Sequence, residues 1–191
     1  MCERLQSRAW SAAPDVRATS VASLVMVDTT INKPIIGSKA LRKGRRSIAG
    51  ELYFLTTAAD ESFGRIDDSA IFTIIVRKIE GLETEKVWQW FGMVVMPDHL
   101  HMIVRLRHRM NLSEAVRRFK GGTAREINIM LGRSGPVWFE GFYDRLIRDD
   151  EPVTNYVQYM VENPVRKGLV NGTKDWPYTQ VRWEMVPEFR R

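Results

Sequence analysis

Two apolar runs sit back to back in the middle of the chain with only Pro97 and Asp98 between them. Residues 86–96 read KVWQWFGMVVM and residues 99–106 read HLHMIVRL. Runs this short and this rich in β-branched and aromatic residues are strands, and a two-residue break leaves them one way to pair, as an antiparallel hairpin. Whatever the rest of the chain does must be built around that hairpin.

The flanking segments fit around it. Residues 50–58, GELYFLTTA, predict a strand. Residues 67–83, DDSAIFTIIVRKIEGLE, predict a helix with Asp67 or Asp68 as N-cap. After the hairpin, Asn111 is the expected cap of a second helix, in which Leu112, Ala115, Phe119, Ile127 and Met130 recur at helical spacing. The Gly121-Gly122 pair should bend or interrupt that helix. Residues 137–148 look extended, and residues 150–163 look helical, with Pro152 near the first turn, where proline is tolerated. The order strand, helix, strand, strand, helix, strand, helix begins with the β-α-β-β-α-β pattern of a ferredoxin-like fold. The expected class is therefore α+β: an antiparallel sheet with two helices on one face, the other face open, and a C-terminal helix packed in addition.

Composition sets the surroundings. The chain has 191 residues, enough for one well-packed domain. Its 29 Lys and Arg against 23 Asp and Glu give a net charge of +6, which favours an anionic partner. The single cysteine, Cys2, excludes a disulfide framework and a cysteine-ligated zinc site, and fits a reducing, cytoplasmic setting. No run approaches the ~20 apolar residues of a membrane span. The short apolar stretch at 21–27, preceded by Glu3 and Asp15, does not make a secretory signal. Residues 1–47, ending in LRKGRRS, lack sustained periodicity and are expected to be a basic extension, partly disordered. Residues 48–176 carry the domain, and 177–191 a tail.

Alternation along residues 99–106 puts Leu100, Met102, Val104 and Leu106 on one face and His99, His101, Ile103 and Arg105 on the other. The apolar set belongs against the helices, so both imidazoles project from the opposite, open face. Their Cα atoms are then roughly 6.5 to 7 Å apart, close enough to reach one ion. Such a pair is either polar decoration of a strand end or half of a metal site. On the last helix, Tyr156, Tyr159 and Asn163 share a face through spacings of three and four. They are either half-buried packing residues, with Asn163-Pro164 ending the helix, or a nucleophile and a third ligand.

Together, the stretches WFGMVVMPDHLHMIVRL, VWFEGFYDRLIRDDEP and YVQYMVENPVRKGLV resemble the REP-associated tyrosine transposases, a branch of the single-tyrosine HUH transposases of bacterial insertion sequences. The resemblance spans about residues 48–176. It implies a ferredoxin-like nuclease domain that cleaves and rejoins single-stranded DNA beside imperfect hairpins through a 5'-phosphotyrosine, with magnesium or manganese. By position it implies His99, His101 and Asn163 as metal ligands and Tyr159 as nucleophile, with Tyr156 the runner-up. It also implies action in cis, hence a monomer, in the bacterial cytoplasm. The long segment before residue 48 departs from the family, whose members begin shortly before the first strand.

DNA contacts are expected from Arg105 beside the histidines, from Arg117, Arg118, Lys120 and Arg125 on the second helix, and from an N-terminal arm of Lys43, Arg45 and Arg46. His108 is expected at the surface facing phosphate. Trp138, Phe139 and Tyr143 are candidates for stacking on extruded bases or for core packing. Two other readings stand beside the nuclease: a catalytically silent protein that binds hairpin DNA, and a structural zinc site, for which the chain offers no closed set of four ligands.

Overall fold

The computed structural model of the chain describes residues 47–186; the expectations for the extension, including Lys43, Arg45 and Arg46, and for the last five residues lie outside them. Along the described chain run β1 (Leu52–Ala58), α1 (Ser69–Thr84), β2 (Trp88–Val95), β3 (His99–Leu106), α2 (Leu112–Met130), β4 (Tyr143–Ile147), α3 (Val153–Arg166) and β5 (Thr179–Val181). The strands form one antiparallel sheet in the order β4-β1-β3-β2-β5. The first four are ordered as the β-α-β-β-α-β pattern predicts. The fifth comes from the segment expected to be a tail and closes the β2 edge by pairing Gly92 with Val181.

Local chemistry explains the boundaries. Asp68 accepts from the backbone N–H groups of Ala70 and Ile71 and starts α1. Asn111 and Glu114 form a reciprocal capping box at the start of α2. That helix runs uninterrupted through Gly121 and Gly122, contrary to the expected break. Its buried stripe, Leu112, Ala115, Val116, Phe119, Thr123 and Ile127, extends on both sides of the pair, so packing offsets the weak local propensity. Likewise α3 continues through Pro164 to Arg166 instead of ending at Asn163, with Pro164 itself buried.

Two apolar layers sandwich the sheet. On one side Leu100, Met102, Val104 and Leu106 of β3 pack with Ile74, Ile75 and Ile79 of α1 and Val116 and Phe119 of α2. On the other, Ile103 joins Phe54, Phe91 and Val94 under Val153, Tyr156, Val157 and Met160 of α3, with Trp176 and Val186. The face expected to stay open is therefore covered by the last helix. Gly92 allows the close seat: a Cβ there would lie 3.0 Å from the terminal methyl of Met160 and 3.3 Å from the Gln180 carbonyl oxygen. The sheet also shifts register between Trp90 and Gly92.

Because Gly121 is exposed and open space surrounds its α-carbon, Gly121→Ala should stabilise the protein by about 0.5–1 kcal/mol. Urea denaturation would show this as a higher midpoint at unchanged slope.

Candidate nuclease site

Strand β3 begins at His99, and its alternation delivers both histidines to the face beneath α3. The His99 and His101 rings meet edge to face at 4.5 Å, and their Nε2 atoms are 3.0 Å apart. Each ring is held from behind. His99 Nδ1 lies 2.6 Å from Asp98 Oδ1, and a carboxylate can only accept, so the proton sits on Nδ1. The same bond holds the Asp98 carboxyl below its usual range. His101 Nδ1 is 2.8 Å from Thr56 Oγ1 on the neighbouring strand, where the sheet register sets Thr56 opposite His101.

His101 is fully buried, and loss of water holds its pKa well below that of free histidine, with His99 adding to the effect. It is therefore a neutral imidazole. The Asn163 amide nitrogen donates to its Nε2 at 3.0 Å, which leaves the proton on Nδ1, donated to Thr56. Asn163 is itself buried and reaches His101 from α3.

Four residues before it, the half-buried Tyr159 ring stands 6.0 Å from His101. Burial raises the Tyr159 pKa, while Arg166 and Asn163 oppose the rise; the Arg166 guanidinium lies 5.3 Å from the ring centroid. Tyr156 is placed differently. It is buried, and its hydroxyl accepts from Arg145 Nε at 2.8 Å. Both tyrosines and His101 touch one ring, Phe54, at centroid separations of 5.9, 6.0 and 5.1 Å.

The expected DNA contacts are divided by the sheet. Arg105 shares the histidine face, with its guanidinium 5.4 Å from the Phe91 ring, but lies four residues along the strand from His101. Arg117, Arg118, Lys120 and Arg125 belong to α2, which packs on the opposite face, so none stands beside the histidines. Arg118 pairs with Glu85. Lys120 donates to the Phe139 and Gly141 carbonyls at 2.6 Å each, and burial lowers its pKa to about 8. Arg117 and Arg125 line a basic groove of about 720 Å³ with Lys78, Arg109 and Arg118. His108 is exposed beyond the end of β3. Trp138 is core, its indole N–H donated to Thr123, whereas Phe139 is half-buried and Tyr143 exposed.

Thr56, Phe54 and Arg166 are site residues that sequence patterning did not reveal. Turn patterning marks Asp98 only as a turn residue, although a carboxylate directly before a histidine is a readable signal for a ring partner.

A sequence profile described as "Transposase IS200 like" matches residues 65–163, from just before α1 to Asn163. The chain belongs to the IS200-like transposase family. It is also 31% identical, over 108 residues, to a Haemophilus influenzae Rd protein named as a REP-associated tyrosine transposase, an alignment covering 49% of this chain. The chain spans 61% of that relative's length. The fold resembles that of a REP-associated tyrosine transposase solved bound to a REP hairpin, with a TM-score of 0.62 at 21% identity over 77% of this chain and 86% of the other. Among the described residues, no helix of this transposase-family chain is long and apolar enough to cross a membrane.

Two stability measurements probe the site. Thr56→Val leaves the buried His101 Nδ1 without its partner and should cost about 1–3 kcal/mol in urea unfolding. The unfolded chain protonates His101 near pH 6.5, whereas the folded protein keeps it neutral. The unfolded state thus binds more protons below that pH. Stability should fall as the pH drops through the range below 6.5, and a His101→Gln variant should show a shallower fall.

Proposed function

We propose that the protein is a metal-dependent endonuclease and strand transferase for single-stranded DNA, acting beside hairpin repeats through Tyr159. The observation that carries this reading is the meeting of four groups from two distant segments, His99, His101, Asn163 and Tyr159, on one face of the sheet. Packing alone does not call for two imidazole nitrogens and an amide pointed at one another in a buried corner.

The donor set fits a divalent ion, with magnesium or manganese expected. The Nε2 atoms of His99 and His101 lie 3.0 Å apart, close enough for both to serve as neighbouring ligands of one divalent ion. Asp98 and Thr56 occupy the two Nδ1 positions, which keeps the Nε2 atoms for ligation. The Asn163 amide carries an oxygen on the same carbon as the nitrogen now bonded to His101, giving a third, neutral ligand. Among the described residues no three His, Cys, Asp or Glu side chains are placed to hold one ion together, so a structural zinc site of those residues has no support. A bound divalent ion would offset the charge on the phosphodiester oxygens.

Tyr159 supplies the nucleophile. Attack of its phenolic oxygen on the scissile phosphorus forms the tyrosine–phosphate bond and breaks the bond to the 3' oxygen, which takes up the proton. The product is a 5'-phosphotyrosine and a free 3'-hydroxyl. Attack by another 3'-hydroxyl reverses the step, so the bond is conserved for strand transfer. Burial keeps the resting phenol protonated, and the nearby Arg166 is the side chain able to favour its phenolate.

The similarity to REP-associated transposases supports single-stranded DNA with a palindromic hairpin as the partner. The test is a covalent-adduct assay with labelled hairpin oligonucleotides and manganese, resolved on a denaturing gel. The adduct should form, vanish with chelator and with Tyr159→Phe, and survive Tyr156→Phe. Salt-sensitive binding with no adduct, while a known relative reacts with its own hairpin in the same buffer, would instead assign a catalytically silent DNA-binding protein.

A further inference from the structure

Helix α3 carries both Tyr159 and Asn163, yet its start is weakly anchored. Its N-cap is Pro152, which makes no side-chain capping bond. Buried Val153 and Tyr156 seat the first turns on the sheet, and an arginine on the edge strand adds the hydrogen bonds that hold them. Arg145 of β4 donates from Nε to the Tyr156 hydroxyl at 2.8 Å and from a terminal nitrogen to Glu151 at 2.6 Å. The other Glu151 oxygen accepts from the Arg148 backbone N–H at 3.0 Å, so the carboxylate is tied to the end of the same strand. Sheet register sets Arg145 opposite Phe54, the ring on which Tyr156, Tyr159 and His101 converge.

We propose that Arg145 is a positioning residue whose planar fork, closed on Tyr156 and Glu151, clamps the start of α3 to the sheet and so sets Tyr159, one turn further on, against His101. This rests on the reading of Tyr159 as nucleophile. Two features separate a clamp from an ordinary surface ion pair. One arm of the fork ends on a buried phenol, and that phenol lies on the same helix three residues before Tyr159. Tyr156 thereby has a role that requires its hydroxyl but not its reactivity. Lysine cannot serve, because a single ammonium lacks the two parallel donors.

The test uses the full chain with Arg145→Gln, Arg145→Lys, Tyr156→Phe and the Gln/Phe double variant, and Arg65→Gln as a surface control. In protein labelled with 3-fluorotyrosine, the Tyr159 resonance is assigned by Tyr159→Phe. It should shift or broaden in all three single variants of the clamp and stay in place in the control. With manganese and a saturating labelled hairpin oligonucleotide, the adduct rate should fall on the order of ten-fold in each single variant, and no further in the double. Oligonucleotide affinity should be unchanged.

An unmoved Tyr159 resonance overturns the clamp. So does a loss of affinity in Arg145→Gln with Tyr156→Phe silent, which would make Arg145 a phosphate contact. If wild-type protein forms no adduct, the nuclease reading fails, while the fluorine spectra still decide whether Arg145 positions Tyr159.

Discussion

The hydrogen bond between Asn163 and His101 ties the histidine hairpin to the last helix. It is buried, spans 62 positions of sequence, and links the third residue of β3 to helix α3 in the last third of the chain. Neither end could be left alone. An unpartnered amide or imidazole in this layer would carry the desolvation cost of a buried polar group without return. The second apolar layer exists so that this contact can form: Met160 seats over Gly92, Val157 and Val153 bury against the sheet, and the polar corner closes at the end of the helix.

The two faces of the sheet have separate tasks. The α1 and α2 layer is built almost entirely of aliphatic and aromatic contacts, with the Thr123–Trp138 hydrogen bond among them. The α3 layer mixes Phe54, Phe91 and Ile103 with histidine, threonine, asparagine and tyrosine, with His101 bonded to both Thr56 and Asn163 and Tyr156 to Arg145. Basic residues of α2 are therefore remote from the histidines, and Lys120 serves the fold by holding the loop that leads into β4.

Much of this was readable from residue order. The bounds of β3, its division into helix-facing and histidine-facing sets, the Asn111 cap and the shared face of Tyr159 and Asn163 all follow from periods of 2 and 3.6. The placement of α2's basic residues away from the site follows from the same alternation, once the apolar set of β3 is assigned to the helices. Other features were hidden because they depend on contacts between distant segments. Thr56 becomes a histidine partner only through strand register, and α3 covers the second face because Gly92 makes room for it. Local rules failed where burial outweighed them, at Gly121-Gly122 and at Pro164.

The lateness of α3 in the chain has a bearing on when the proposed site can be complete. During synthesis the histidine hairpin emerges well before the helix that completes it, and the sheet's first layer can close with only α1 and α2 in place. A chain in which α3 has not yet docked would hold the two imidazoles without Tyr159 and Asn163 beside them. If Tyr159 is the nucleophile proposed above, strand cleavage has to await that docking and is lost whenever the helix unfolds locally.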